Sequence, residues 1–193
     1  MGAKVLSVGI HEKRLCSRCG TCTGVCPTEA IGRDEELFPS WDVEKCTSCE
    51  LCARVCPGAG LSFKRLHGEV LGRDEWPPDY CGHYQEAFVA HSTDTDVRQG
   101  GSSGGVVTGL LLFLLETGKI DGAVVTSIDP ANPFRAKSYL AKTPEEIMAA
   151  RQSKYIIAPV NAVLREIREA SGRYAYVGLS CQIQGLREWA LID

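Results

Sequence analysis

Two cysteine-rich stretches of one pattern stand in the first third of the chain, CSRCGTCTGVCP at residues 16–27 and CTSCELCARVCP at residues 46–57. Each reads C-x-x-C-x-x-C-x-x-x-C-P, and every cysteine of the first copy has its equivalent 30 residues later in the second. Eight of the ten cysteines belong to this repeat. The repeat therefore decides how this part of the chain folds.

The spacing is that of bacterial ferredoxins, in which three close thiolates hold one face of a 4Fe-4S cubane and the fourth cysteine reaches the other cluster. Three thiolates two residues apart can wrap a loop around a cubane, and the proline after the fourth cysteine ends the short helix that delivers it. The pattern predicts two clusters with crossed ligands. These ligands are Cys16, Cys19, Cys22 and Cys56 for the first cluster, and Cys46, Cys49, Cys52 and Cys26 for the second.

Zinc and disulfides are the alternative uses of these cysteines. Zinc prefers two C-x-x-C pairs that close a tetrahedron, which leaves the third cysteine of each triplet without a role. Disulfides between residues three apart are strained, and the opening MGAKVLSVGI lacks the features of a secretory signal. Dense cysteines in a reducing compartment indicate metal, and we predict a cytoplasmic protein or one peripheral to a membrane complex.

The composition argues against nucleic-acid binding and against a membrane-spanning helix. With 44% hydrophobic and 23% charged residues and a net charge of -3, the 193 residues have the make-up of a globular protein. The basic excess of a nucleic-acid binder is missing. The most apolar run, Val106 to Leu115, is too short to cross a bilayer and predicts a buried helix.

Three parts are predicted along the chain. Residues 1–72 form a two-cluster ferredoxin-like domain, 73–85 a linker with two prolines, and 86–193 an α/β domain. The fold class is therefore mixed α+β and α/β, a bacterial-type ferredoxin domain followed by a partial α/β domain with βαβ units.

The βαβ prediction rests on three consecutive segments. EAFVAHS (86–92) predicts a short buried strand, GVVTGLLLFLLE (105–116) an apolar helix ending at Gly118, and DGAVVTSI (121–128) a second strand. Strand, helix and strand in this order pair parallel strands through a right-handed crossover.

Further elements follow downstream. Thr143, Pro144 and Glu146 predict a helix start with a capping box. Pro159 opens another helix, which ends at Gly172 and whose apolar face comprises Val160, Val163, Leu164 and Ile167. RYAYVGL (173–179) predicts a strand, and SCQIQGLREWALID (180–193) predicts a helix. No further strand follows in the sequence, so we expect that the sheet is incomplete and that the chain is a fragment.

The loop RQGGSSGG (98–105) precedes the apolar helix. Ser102 or Ser103 is predicted to cap that helix, while the glycines let backbone N–H groups approach an anion at its positive end. The pyrophosphate of a dinucleotide is the natural anion, yet the loop is neither G-x-G-x-x-G nor a Walker loop. From the residues alone, a phosphate site and a tight turn with close helix packing remain open.

A resemblance to a known family rests on the twin cysteine repeat and on three further stretches, SSGGVVTGLLLFLLETGKIDGAVV (102–125), SKY (153–155) and GRYAYVGLSCQIQGLR (172–187). On these residues, the chain resembles the family of coenzyme F420 hydrogenase/dehydrogenase beta subunits. Its members are iron-sulfur flavoproteins found with hydrogenases, formate dehydrogenases and related reductases. The resemblance implies one noncovalent FAD beside two 4Fe-4S clusters, and coenzyme F420 as the hydride-carrying substrate. It also implies partners, either other subunits of a redox complex or a ferredoxin.

The resemblance also implies site residues. The loop residues near the FAD phosphates are Gly101, Ser102, Ser103, Gly104 and Gly105. Lys154 would supply positive charge to flavin or substrate, the alternative being a solvated surface lysine. Cys181 matches a cysteine near the flavin or a cluster, with Ser180 in place of the family's proline; the alternative is a buried structural thiol. The family's carboxy-terminal half is absent, so this chain is expected to bind FAD poorly or not at all and to be inactive alone.

Three functions are compatible with these features. The leading one is an oxidoreductase subunit that couples a hydride carrier, through FAD, to the clusters. The alternative is a non-catalytic two-cluster carrier or docking subunit of a larger redox complex. A structural or regulatory cluster protein is the third, which paired cubanes disfavour because they provide a relay.

Overall fold

A computed structural model describes residues 10, 14–73, 75 and 81–192 of the chain. The helices are α1 (Thr21–Val25), α2 (Leu51–Arg54), α3 (Phe63–Leu71), α4 (Thr95–Gln99), α5 (Val106–Glu116), α6 (Pro144–Ala149), α7 (Leu164–Glu169) and α8 (Ser180–Ala190). The strands are β1 (Ile31–Arg33), β2 (Pro39–Trp41), β3 (Gly122–Asp129), β4 (Asn132–Ala141) and β5 (Tyr174–Tyr176), and 3-10 turns occupy Pro57–Ala59 and Val160–Val163. Within these residues, the longest apolar helices fall short of the length that a membrane span requires.

The cysteine repeat folds into two equivalent halves. Helices α1 and α2 begin 30 residues apart, and each starts after a residue in the left-handed region, Gly20 with φ 85° and Glu50 with φ 62°. Between the copies, β1 and β2 form an antiparallel hairpin that pairs Ile31 with Trp41. The sequence repeat is thus a repeat of backbone conformation.

The second part of the chain is built on a three-stranded sheet in the order β4-β3-β5. Strand β3 pairs antiparallel with β4 and parallel with β5. Helices α5 and α6 cover it through a core whose buried members are Leu111, Ala123, Val125, Ala141 and Ile147. The parallel pair β3–β5 confirms that parallel strands are present in this part.

The βαβ unit predicted from residues 86–128 is wrong. The segment 86–92 forms no strand, and its residues 86–91 are exposed, with Phe88 at 80% and Val89 at 107% of their reference areas. Both edges of β3 are already occupied, one by β4 and the other by β5, so no edge is free for it. The segment instead lies along the glycine-rich loop, where the Ser92 N–H donates to the Gly104 carbonyl at 2.7 Å.

Most of the other predicted elements are confirmed. Helix α5 and strand β3 lie where the sequence places them. Thr143 caps α6 in a capping box with Glu146. The residues after Pro159 form a 3-10 turn that continues into α7, and α8 begins at Ser180. Part of the predicted linker, namely residues 74 and 76–80, lies outside the described residues.

The cysteine-rich part and the sheet part meet in close backbone contact. A Cβ on Gly20 would stand 2.7 Å from the Pro159 carbonyl oxygen, and one on Gly24 would overlap the carbonyl of Asn161. Side chains from both parts form one cluster, with buried members Val25, Val55, Leu164 and Trp189. The domain boundaries at residues 72 and 86 stay predictions, but the two parts share a hydrophobic cluster and pack directly against each other.

Candidate metal centres and glycine-rich loop

The two predicted sets of cysteines line two separate pockets. Cys16, Cys19, Cys22 and Cys56 border one, of about 520 Å³ including its open mouth. Cys26, Cys46, Cys49 and Cys52 border the other, of about 360 Å³ on the same measure. Each pocket thus receives three cysteines from one copy of the repeat and the fourth from the other, which is the crossed arrangement that the pattern predicts.

Left-handed backbone makes this possible. Between the first and third cysteine of each copy, two residues have positive φ: Arg18 and Gly20 in the first copy, and Ser48 and Glu50 in the second. Such residues reverse the local direction of the chain, so consecutive side chains can face one centre. Three of these four residues are not glycine, so their left-handed backbone conformation is strained. A binding site that needs this backbone curl explains why the strain is kept.

The electrostatics of the pockets suit a cation. Burial raises the pKa of the Cys22 thiol far above its usual range, and the nearby sulfurs of Cys19, Cys56 and Cys16 raise it further. Burial likewise raises the pKa of Cys52 to about 11. Thiolates crowded in a dry pocket are stable only when positive charge offsets them, and iron supplies that charge.

The second pocket has an apolar wall. Ala30, Ile31 and Cys26 are buried there, and Trp41 packs against them. Among the described residues, no three His, Cys, Asp or Glu side chains converge as the ligands of a single ion would. Ligands of a cubane stand around a larger body, and the four-cysteine borders of the pockets fit that arrangement.

The glycine-rich loop corrects one prediction. Neither Ser102 nor Ser103 caps α5: its N-cap is Gly105, in the left-handed region with φ 72°, and no side chain of the described residues caps it. The Ser102 hydroxyl instead accepts a hydrogen bond from the Ser153 N–H at 2.7 Å. Serine is displaced because the tight turn puts a glycine at the cap, which leaves the first N–H groups of α5 without a capping side chain from this loop.

Two of the glycines are needed for close packing. A Cβ on Gly104 would stand 2.8 Å from the Ala90 carbonyl oxygen, and one on Gly105 would stand 2.8 Å from that of Val97. The tight-turn interpretation therefore explains Gly104 and Gly105. Gly101 meets less crowded surroundings, with the nearest atom at 3.2 Å, and Ser103 is exposed.

The side chain of Arg151, which the sequence analysis did not identify, packs against the same loop. The side chain of Arg151 covers Gly100 so closely that a Cβ there would stand 2.6 Å from its Nε. Because Arg151 is exposed and about 50 residues from the loop, only its place two residues before the SKY segment could have suggested it. The loop thus has a cation beside it.

Lys154 is near this loop but its amine faces elsewhere. Its Nζ donates to the carbonyls of Ala150, Arg151 and Gln152, the last at 2.9 Å. These carbonyls follow the end of α6, where a cation is favourable. Burial lowers the pKa of Lys154.

Cys181 lies in the first turn of α8, partly buried. It is close to Tyr176, whose pKa is raised first by burial and then by negative charge at Cys19 and Cys181. Cys181 precedes Gln182, whose backbone carbonyl accepts from Asn161, and Asn161 also donates to Thr21 of the first pocket. Cys181 itself is not among the residues that line this pocket. The structure does not bring Cys181 to the glycine-rich loop in any hydrogen bond between described residues.

Residues 9–57 belong to the dicluster iron-sulfur class, because they match the family model described as "4Fe-4S dicluster domain". Residues 87–165 match the model described as "Coenzyme F420 hydrogenase/dehydrogenase, beta subunit N-term". The chain belongs to the family of coenzyme F420 hydrogenase/dehydrogenase beta subunits. Its relatives include a reductase and subunits of a hydrogenase and of a dehydrogenase.

Three relatives illustrate the similarity. The coenzyme F420-dependent sulfite reductase of Methanocaldococcus jannaschii is 33% identical over 93% of this chain and 26% of its own length. One subunit of the F(420)H(2) dehydrogenase of Methanosarcina mazei is 30% identical over 97% of the chain and 51% of its own length. The beta subunit of the coenzyme F420 hydrogenase of Methanosarcina barkeri is 34% identical over 56% of the chain and 38% of its own length. The chain therefore spans between a quarter and about half of these proteins.

A solved chain of the F420-reducing [NiFe] hydrogenase complex from Methanosarcina barkeri is 33% identical and covers 52% of this chain and 35% of its own length. The TM-score is 0.49.

Proposed function

We propose that this chain forms the electron-transfer part of an iron-sulfur flavoprotein that exchanges electrons between a hydride carrier and two 4Fe-4S clusters. The observation that carries the proposal is the division of eight cysteines between two pockets, each lined by three from one copy and one from the other. Bound 4Fe-4S clusters accept and release one electron at a time. Two adjacent pockets of this kind fit a relay.

FAD is proposed to bind at the glycine-rich loop. Three features support this: α5 begins at a glycine rather than at a capping side chain, Ser103 is exposed, and the Arg151 side chain lies on Gly100. A helix N-terminus with glycines and a nearby guanidinium suits a pyrophosphate. Gly101 to Gly105 would supply backbone N–H groups, and Arg151, rather than Lys154, would supply the positive charge.

The hydride carrier is proposed to be coenzyme F420. The names of the three relatives all include this coenzyme or its reduced form. FAD, when bound, accepts a hydride and releases single electrons, which is the exchange needed between a deazaflavin and a cluster. Cys181 and Tyr176 would border the path from the flavin side to the first cluster.

The partners are proposed to be other subunits of a redox complex, in the cytoplasm, with residues 1–72 and 86–193 as the two domains. Because the chain spans at most 51% of the length of the three relatives, the activity is proposed for the protein in which these residues act.

An alternative is a two-cluster carrier without a flavin. The crowding at Gly104 and Gly105 favours it, because packing alone explains those glycines.

One experiment separates the two functions. The protein in which these residues act is purified anaerobically, reconstituted with iron and sulfide, and offered reduced F420 or NADPH, each with and without FAD. Flavin-dependent bleaching of the cluster absorbance by reduced F420 is expected. Clusters that exchange electrons with a ferredoxin-type donor but are never bleached through FAD would replace the proposal by the carrier function.

A further inference from the structure

A buried chain of hydrogen bonds leads from a cysteine of the first pocket into the sheet part. The Cys19 sulfur and the Thr21 hydroxyl are 3.1 Å apart. The Asn161 side-chain nitrogen is 2.7 Å from the same hydroxyl. Thr21 is 1% exposed and Asn161 is 0% exposed. Groups so far from water are satisfied by each other, so the direction of each bond can be derived.

The orientation of Asn161 follows from its other neighbours. Its side-chain nitrogen lies 2.8 Å from the Gln182 backbone carbonyl, which can only accept, so this atom is the amide nitrogen. Its oxygen accepts a hydrogen bond from the Tyr176 hydroxyl. Turning the amide over would set two oxygens against each other at Gln182.

The orientation of Asn161 fixes that of Thr21. The two hydrogens of the Asn161 amide go to the Gln182 carbonyl and to the Thr21 hydroxyl oxygen. Thr21 therefore accepts from Asn161, and its own hydrogen is left for the Cys19 sulfur. Gly185 of α8 packs against this hydroxyl so closely that a Cβ there would overlap it, which leaves no space for water on that side.

The second copy of the repeat lacks an equivalent among the described residues. The residue 30 positions after Thr21 is Leu51, and the cysteine 30 positions after Cys19 is Cys49, which is exposed. The nearest comparable contact in the second pocket joins the Cys26 sulfur and the Thr28 hydroxyl at 3.8 Å. The hydrogen bond at Cys19 thus makes the two pockets chemically different.

We infer that Thr21 is a positioning residue that donates a hydrogen bond to the Cys19 thiolate and raises the reduction potential of the first cluster, with Asn161 fixing the direction of that bond. The inference rests on the proposed function, because it assumes a 4Fe-4S cluster in the first pocket. A donor to a ligand sulfur withdraws electron density and stabilises the reduced, more negative state. With Thr21 present, the cluster next to the sheet part is a better electron acceptor than it would be without this residue.

The test is a redox titration, followed by electron paramagnetic resonance, of the whole chain reconstituted anaerobically with iron and sulfide. Thr21→Val is expected to lower the midpoint potential of one cluster and to leave the other unchanged. Thr21→Ser keeps the hydroxyl and is expected to restore the wild-type value. Thr126→Val is the matched control, because it removes a hydrogen-bonded threonine hydroxyl of β3 that lines neither cysteine pocket, and it should leave both potentials unchanged.

Each outcome decides something. If Thr21→Val does not retain its clusters, Thr21→Ala removes the hydroxyl without adding a methyl group next to Gly185, and the same shift is expected. Two loaded clusters with unchanged potentials in both Thr21 variants overturn the inference alone, as does an equal shift in Thr126→Val. A wild-type protein that takes up no cluster overturns the proposed function, and the inference with it.

Discussion

Gly24 of α1 lies against the backbone of Asn161, and a Cβ at Gly24 would overlap the Asn161 carbonyl oxygen. Gly24→Ala should therefore push apart the cysteine-rich part and the sheet part. Overpacking of this kind costs about 1–3 kcal/mol, against a gain of about 1 kcal/mol from the helix propensity of alanine. We expect a net loss of stability, measured as a lower urea midpoint by circular dichroism under anaerobic conditions.

Gly109→Ala is the matched control for Gly24→Ala. Gly109 also lies inside a helix, and the nearest atom to its Cβ would be the Ser92 oxygen at 3.4 Å, an ordinary contact. This variant should be as stable as the wild type or more so. Equal urea midpoints for the two variants would show that the close approach at Gly24 is not required.

The crossed assignment of cluster ligands predicts a difference between two double variants. Cys16→Ala with Cys56→Ala removes two ligands of the same predicted cluster, so about half of the iron and sulfide should remain. Cys16→Ala with Cys26→Ala removes one ligand from each cluster, and both should be damaged. Iron and sulfide analysis after anaerobic reconstitution measures the difference.

Cys81→Ser serves as the control for the cysteine variants, because Cys81 is exposed and lines neither cysteine pocket. It should keep the full iron content. If each copy of the repeat held its own cluster, the pattern would be reversed: the pair at 16 and 26 would spare one cluster and the pair at 16 and 56 would damage both.

Ser103 offers a test of the flavin loop that avoids steric damage. Ser103 is exposed, whereas a side chain at Gly104 would collide with the Ala90 carbonyl whether or not a phosphate binds. Ser103→Asp places a negative charge near the start of α5 and should weaken FAD binding about tenfold, or about 1.4 kcal/mol. Quenching of FAD fluorescence on titration with the cluster-loaded protein in which these residues act measures the affinity.

Ser103→Asn has nearly the same shape as Ser103→Asp but no charge. It should bind FAD with close to wild-type affinity, because the electrostatic repulsion is missing. A similar loss of affinity in both variants would assign the effect to the serine side chain rather than to charge. No change in either variant would argue against a phosphate at this loop.

The features that local rules control were predictable from the sequence. The 30-residue repeat predicts both sets of cysteines because a loop with this spacing curls in only a few ways, and Thr143 to Glu146 predict a helix start through contacts within one turn. These contacts span few residues. Local chemistry alone therefore specifies them.

The features that depend on distant partners were not predictable. The apolar segment 86–92 has the composition of a buried strand, yet β4 and β5 occupy both edges of β3. Strand β4 itself, NPFRAKSYLA, carries two cations and becomes a strand because it pairs with β3 continuously from Ala136 to Ala141. The same holds for Arg151, whose contact with Gly100 joins residues about 50 positions apart.

Lys154 provides the last prediction, because its amine donates to the three carbonyls of Ala150, Arg151 and Gln152. Lys154→Met should leave these carbonyls without their charged donor and lower the stability by about 1–2 kcal/mol. The urea midpoint measures this loss, and FAD affinity in the same variant should change little. Lys64→Met, at an exposed position of α3, is the matched control and should be neutral. Loss of an amine with a structural role must lower the stability. Wild-type stability with much weaker FAD binding in Lys154→Met would therefore show that Lys154 binds the cofactor instead.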